Sequence, residues 1–531
     1  MKLFFYGADR CVTGSCHCVE VNGKRILIDC GLQQGRDELD NASLPFAPGM
    51  IDYVLVTHAH IDHSGRVPLL IKQGFHGEIL TTRLTAHLME VMLLDSAHIQ
   101  ESEAEYDNRK GARAGRDPVE PLYTVADAEN VKQYVRTCEY GETVALCEGV
   151  EATFTDAGHL LGSASITLRL TEDGVTKTIV FSGDIGNVDQ PIICDPQLLE
   201  GPADYVVMES TYGDRNHEEV VSYTEDLAKI IDETLGRGGN VVIPSFAVGR
   251  TQELLYFIRE IKDEGLVKSV PNFPVYIDSP LAKAATMIFC GDLHGYLDEE
   301  ALALVKDGTH MFSFPNLNLV ETAEESKQLN AEPTPKVIIS ASGMCDAGRI
   351  RHHLKHNLWR PASTIVFVGF QAQGTLGRRL LDGAESVKLF GEEIAVRAQL
   401  VNYQGLSSHA DHDHLIGWIE AFREKPAQVF VVHGDADVAP AFAHELEEKG
   451  FRAAAPLYTA SYDLAAGRVL DPGYQPERKR TEAQTRADSL YAKLLAAGEA
   501  LLALIKKNKG MANKDVASFT SQINALLEKW K

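Results

Sequence analysis

Basic residues are scarce in this chain. Its 531 residues include 51 Lys and Arg against 75 Asp and Glu, a formal net charge of −24. So acidic a protein repels phosphate at long range, which excludes non-specific nucleic-acid binding driven by bulk charge. Long apolar runs are also missing. No stretch approaches the roughly 18 uncharged residues that cross a bilayer, and the opening Met1–Arg10 holds too short an apolar run for a secretion-signal core. A cytoplasmic protein with no membrane partner is expected. Cysteine is sparse: nine residues, an odd set, none in a Cys-x-x-Cys pair. That spacing argues against a disulfide frame or a cysteine zinc site and predicts reduced, mostly buried thiols. Internal repeats and low-complexity tracts are absent.

What is present fits a globular protein of two or three domains. The N-terminal part reads as short strands, each ending in a polar residue: Arg25–Gly31, Tyr53–Thr57, Thr178–Asp184 and Tyr205–Glu209. From Tyr223 helices and strands alternate, with helix 223–235, strand 240–244, helix 251–262 and strands 275–278, 336–340 and 364–370. Such alternation predicts a parallel α/β domain. The first texture returns after Val396, where Gln428–His433 is again a strand with a polar end. The expected organisation is therefore one domain in two parts, 1–214 and 396–475, an inserted α/β domain at 215–395, and a helical tail at 476–531. In that tail Val516, Phe519, Ile523, Leu527 and Trp530 recur at helical spacing. The pattern favours docking on the parent domain, with a homodimer as the alternative.

One stretch breaks the acidic trend. Arg349 to Leu381 contains no Asp or Glu but holds Arg349, Arg351, Lys355, Arg360, Arg378 and Arg379, with His352, His353 and His356 among them. Most charge runs are solvated helix faces; here a local anion site is an equal contender.

The chemistry is carried by His58-Ala59-His60-Ile61-Asp62-His63, at the end of an apolar strand. Three imidazoles and a carboxylate within six residues suit a borderline-soft divalent metal. The alternation aims His58 and His60 at one ion, and the following turn aims Asp62 and His63 at a second. More ligands are needed, and His159 and Asp184 are the candidates. Both lie among small residues that let backbone approach closely.

Asp29, the His58–His63 cluster, His159 and Asp184, in this order, resemble the successive motifs of the metallo-β-lactamase superfamily. The long interval before His433 resembles the β-CASP branch, whose acidic, histidine and final motifs match Glu209, His409 and His433. Further matches are Ser245–Glu253, Asp278–Ala282, Ser340–Met344 and Gly374–Arg379; the resemblance covers residues 1–440. It implies an α/β fold, a four-layer αβ/βα sandwich carrying the inserted parallel α/β domain. It also implies two Zn2+ per chain, with Mn2+ as an alternative ion. His58, His60, His159 and Asp184 would hold one, and Asp62, His63, the bridging Asp184 and His433 the other. Asp29 would orient the cluster rather than bind metal. A histidine at the last motif accompanies RNA-processing members and a valine DNA-directed ones, so the implied partner is RNA. One departure is visible: Cys345-Asp346-Ala347 stands before Gly348-Arg349, where relatives often have two glycines before the arginine.

The expected reaction is hydrolysis of RNA phosphodiesters. Asp62 and Asp184 sit at the metals, and His409, supported by Glu209, acts as general acid. The inserted domain is expected to clamp phosphate through Ser245, Arg250, Ser342, Gly343, Met344, Arg349, Gly374, Thr375 and Arg378. Rival readings are a thioesterase- or lactamase-type hydrolase, a DNA nuclease, and a non-catalytic subunit of an RNA-processing complex. The lactamase type needs neither the insertion nor His409. His433 disfavours the DNA nuclease, and a non-catalytic subunit would have lost ligands that are all present here. Endonuclease and 5′→3′ exonuclease modes are not distinguished.

Overall fold

A computed structural model describes the chain except residues 36–39, 218–221, 370, 372–373, 404–406, 477–496, 499–500, 503, 508–511 and 531, and the side chains of 528 and 530. The described chain divides into a large unit, Met1–Gln34 with Asp40–Pro476, and a second, Gly35–Leu39 with Glu477–Lys531.

Two sheets face each other in the large unit. The first has eight strands, ordered Arg468–Asp471, Ser461–Asp463, Lys2–Phe5, His17–Val21, Lys24–Ile28, Tyr53–Leu55, Glu78–Thr82 and Val135–Cys138. The second has seven: Ala453–Ala454, Gln428–Val431, Tyr205–Met208, Val175–Phe181, Ala164–Glu172, Val150–Asp156 and Thr143–Cys147. Segments from beyond residue 427 thus complete both sheets, as an interrupted domain requires. Strand Tyr205–Met208 is buried on both faces, which explains its unbroken apolar run. Val207 joins Phe430 in the inter-sheet core, while Val206 and Met208 meet Trp418 and Phe442 of the outer helices His412–Glu420 and Val438–Glu448. On the other side, the first sheet is covered by Val67–Lys72 and the 30-residue helix Arg83–Ala112. These are the four layers expected of an αβ/βα sandwich. Phe430, fully buried between the sheets, packs its ring 5.2 Å from Phe5 and 4.5 Å from Tyr462. Phe430→Ala is expected to cost about 3–5 kcal/mol, read as a lowered denaturation midpoint in urea.

The inserted domain is a six-stranded sheet, all parallel, ordered Leu317–Leu319, Val275–Ile277, Val337–Ser340, Val241–Pro244, Thr364–Phe367 and Gln399–Asn402. Helix Tyr223–Gly236 starts where Ser222 accepts a hydrogen bond from the Glu225 amide, with Glu225 and Asp226 in the first turn. The edge strand Gln399–Asn402 pairs with Thr364–Phe367 and lies beyond residue 395, where sequence places the end of the insertion. Its two exposed and two half-buried residues give no strong apolar pattern.

In the second unit Asn513–Trp530 is a helix, matching the second pattern read in the tail; the Trp530 side chain and most of the first pattern lie outside the described residues. No described helix is long and apolar enough to cross a membrane. All nine cysteines are free.

Candidate metal centre

Strand register places the acidic and histidine motifs side by side. Phe181, Val207 and Phe430 are aligned on neighbouring parallel strands, so the residues that follow, through Asp184, Glu209 and His433, emerge at one sheet edge. In the facing sheet Lys24–Ile28 and Tyr53–Leu55 are also parallel neighbours, and they deliver Asp29 and the His58–His63 segment. Two close backbone approaches demand glycine. A Cβ on Gly31 would fall 1.6 Å from the Asp62 carbonyl oxygen, and one on Gly186 would fall 1.8 Å from that of Gly158. Asp29 and His433 both hold left-handed φ, +61° and +48°. L-residues persist there only where their surroundings fix them.

The side chains form two donor sets. In one, His58 Nε2 lies 3.1 Å from His60 Nδ1 and 3.5 Å from Asp184 Oδ2. His159 Nε2 lies 3.2 Å from His60 Nδ1 and 3.6 Å from the same carboxylate oxygen. In the other, His63 Nε2 is 3.2 Å from His433 Nε2 and 3.2 Å from Asp184 Oδ1, while His433 Nε2 is 3.6 Å from Asp62 Oδ2. Donors 2.0–2.2 Å from a tetrahedral zinc ion stand about 3.3–3.6 Å from one another, and these separations of 3.1–3.6 Å lie within 0.2 Å of that range. Asp184 belongs to both sets, one oxygen to each.

The residues fit a metal for a second reason. Asp184 Oδ1 is buried yet has no hydrogen-bond partner, a costly condition that a cation would relieve. Burial, with the neighbouring His63, depresses the His58 pKa well below the ordinary value; burial likewise lowers His60, and burial with His409 lowers His159. These three rings are therefore neutral, as ligands must be. Burial disfavours charge on Asp184 too, but His433 and His63, whose own pKa values are raised against burial with Asp184 among the causes, outweigh it and hold the carboxylate ionised.

A surrounding shell fixes which nitrogen faces inward. His63 Nδ1 donates to Asp29 Oδ2 at 2.7 Å, and Asp29 in turn accepts from the Thr57 amide at 2.8 Å. His159 Nδ1 donates to the Ser408 carbonyl at 3.0 Å. The Thr211 hydroxyl donates to the His433 carbonyl and so accepts from His433 Nδ1 at 3.1 Å. Each contact leaves Nε2 free for the centre. Sequence reasoning identifies Asp29 but misses Ser408 and Thr211, whose roles arise only when distant strands meet. Asp29→Asn is expected to weaken zinc binding about 10- to 100-fold, measured by competition with a chromophoric chelator.

His409 sits beside this cluster, its ring 4.5 Å from that of His159. Its Nδ1 is 3.2 Å from Glu209 Oε1 and 4.0 Å from Asp184 Oδ2. Burial disfavours its charged form, but Glu209, Asp184 and Asp62 prevail and push its pKa up to about 9. Glu209 is fully buried and anchored by the amides of Ile185 and Thr211. Backbone bonds from Ala410 to Ile185 and from Asn187 to Ser408 pin the 407–410 loop to the segment after Asp184.

In the inserted domain the loops after Val241–Pro244 and Val337–Ser340 converge, since a Cβ on Gly343 would lie 3.2 Å from the Phe246 ring. Ser245 accepts from the Thr251 hydroxyl, the Met344 carbonyl accepts from the Gly377 amide, and Thr375 caps Leu376–Leu381. Ser342 is half-buried and Gly374 exposed. The three arginines expected to clamp phosphate are each paired within the protein: Arg250 with Glu253, Arg349 with Asp278 at 2.6 Å, and Arg378 with Asp382 at 2.8 Å.

Comparison with known proteins agrees with this geometry. Residues 9–209 match the metallo-beta-lactamase superfamily, 251–380 the Beta-Casp domain, and 393–456 the Zn-dependent metallo-hydrolase RNA specificity domain. The chain is 37% identical over 451 residues to ribonuclease TTHA0252 of Thermus thermophilus, covering 85% of this chain and 97% of that one. The chain belongs to the β-CASP branch of the metallo-β-lactamase superfamily. It is also 31% identical over 452 residues to the transcription termination factor FttA of Methanosarcina mazei, covering 82% of this chain and 67% of the relative. The FttA of Methanocaldococcus jannaschii is 30% identical over 459 residues, covering 83% and 68%. The superfamily and RNA-specificity matches make this a zinc-dependent metallo-hydrolase fold.

Proposed function

We propose that the protein is a zinc-dependent ribonuclease that hydrolyses RNA phosphodiester bonds. The observation that carries this reading is the pair of donor sets that meet at Asp184, one at each carboxylate oxygen, with the Glu209–His409 pair against them. His58, His60, His159 and Asp184 would hold one zinc ion, and Asp62, His63, Asp184 and His433 the other. Two such cations supply a water of lowered pKa and neutralise charge on a phosphate.

The chain's own residues do the rest. Asp29, Thr211 and the Ser408 carbonyl keep His63, His433 and His159 in the tautomer that leaves Nε2 inward. His409, held at Nδ1 by Glu209 and about one-fifth exposed, gives a proton to the leaving oxygen. Backbone amides of Ser342, Gly343, Met344, Gly374 and Thr375, with Ser245, position phosphate from the inserted domain. The insertion, running from about 215 through strand Gln399–Asn402, serves this division of labour: metal on the sandwich, substrate on the insertion. RNA is favoured over DNA by His433 and by the names of the relatives, one a ribonuclease.

The test is incubation of purified protein with labelled single-stranded RNA, duplex DNA and a chromogenic lactam, with and without chelator. Cleavage of RNA alone, abolished by chelator, is expected; turnover of the lactam or DNA with RNA intact would refute the reading.

A further inference from the structure

Positive charge left without a carboxylate partner lies elsewhere on the inserted domain. Arg351, Arg379 and Lys388 converge on an open pocket whose other lining residues are Cys345, Asp346, Gly374, Leu376 and Leu389, with a cavity volume of about 150 Å³. A water's share of the liquid is about 30 Å³, so the space admits a hydrated phosphate group. None of the three cations forms an ion pair among the described residues, in contrast to Arg250, Arg349 and Arg378. The Arg351 Nε is buried without any hydrogen-bond partner, and such a donor on a charged group is costly unless something completes it. The guanidinium is held in place by its Nη1 bond to the Asp346 carbonyl at 3.3 Å and by the Phe390 ring, 5.1 Å away. Phe390 is itself exposed and stacks on His352 at 4.2 Å, so an aromatic face borders the basic pocket. Asp346 is the lining carboxylate, and its Oδ1 is engaged by the Leu376 amide at 2.9 Å.

None of the residues lining the pocket is a metal ligand, and it shares only Gly374 with the residues that position phosphate. It rests on the apolar cluster of Cys345, Leu376 and Leu389, in which no residue of segment 1–214 takes part. The apolar cluster on the other face of the inserted sheet is continuous with that segment.

We propose that Arg351, Arg379 and Lys388 form a second phosphate oxyanion site, which takes one backbone phosphate of the RNA away from the metal ligands. This rests on the ribonuclease reading for the identity of the ligand. Two arginines can present planar forks to phosphate oxygens, with Lys388 as a point charge. An exposed aromatic beside such a groove offers a base-stacking surface. In a chain of charge −24, a local concentration of unpaired cations is what an RNA strand would meet as attractive.

The experiment compares Arg379→Gln/Lys388→Gln with the unaltered pocket. Both proteins carry His409→Ala and bound zinc, so that binding is read without cleavage. Affinity for a labelled single-stranded RNA about 20 nucleotides long is measured by anisotropy over a salt series, beside a four-nucleotide RNA and a calorimetric titration with pyrophosphate. Losing one phosphate contact should reduce the salt slope by about 0.7 and lower affinity about fivefold at 0.1 M salt. The short RNA should be unaffected, and Arg379→Lys/Lys388→Arg, which keeps the charge, should restore long-RNA binding. An unchanged slope for the long RNA overturns the proposal. Loss of pyrophosphate binding with RNA affinity intact also overturns it, and assigns the pocket to a free phosphate ligand. Long RNA that binds as expected, yet is not cut when His409 is present, would sink the nuclease reading and leave the pocket standing.

Discussion

His409→Ala protein is expected to cut RNA about 10²- to 10⁴-fold more slowly, the usual contribution of a positioned general acid, while still binding two zinc ions per chain. The two effects separate because His409 stands outside both donor sets. Its Nδ1 faces Glu209 at 3.2 Å and approaches Asp184 no nearer than 4.0 Å, whereas the ligand nitrogens converge on one another. Single-turnover cleavage with saturating enzyme isolates the chemical step, and metal analysis of the same sample supplies the control. Zinc lost along with activity would place His409 in the metal shell and overturn its role as acid. Glu209→Gln should act in the same direction, since it removes the charge that keeps the imidazole protonated and oriented.

Asp184→Asn is expected to have a still larger effect: metal content falling from two ions toward none, and cleavage no faster than that of chelator-treated protein. Asp184 gives one oxygen to each donor set. Without it, five imidazoles and the Asp62 carboxylate must balance two divalent ions in a buried site. The Asp184 Oδ1 has no protein hydrogen bond to lose, so the substitution should leave the fold in place and act through the metals. Near-ultraviolet circular dichroism of the variant checks that point. An Asp184→Asn protein that retains two ions and cuts RNA at the normal rate would contradict the shared-ligand arrangement.

Much of this site is legible in the sequence because of where its residues fall on strands. Asp184, Glu209 and His433 each follow an apolar run whose length marks a buried strand, and parallel strands in register bring their ends together. The His58–His63 cluster is legible for its density alone. The inserted domain is legible as alternating elements, yet its last strand is not, because half-exposed Gln399–Asn402 lacks a strong pattern. The arginine assignments show a different limit. The pairs of Arg250 with Glu253 and Arg378 with Asp382 lie at helical spacing and can be anticipated from it. Arg349 is held by Asp278, 71 residues away, next to His353, and only the fold reveals that. Thr211 and the Ser408 carbonyl are invisible in sequence for the same reason: each acts on an imidazole from a remote part of the chain.

Anomalous diffraction at the zinc edge from crystals of the metal-loaded protein asks most directly whether these distant side chains enclose a pair of ions. Two peaks are predicted, one amid the His58, His60 and His159 nitrogens and one amid Asp62, His63 and His433, with Asp184 between them. A single peak, or peaks that leave Asp184 or His433 outside coordination distance, would contradict the account.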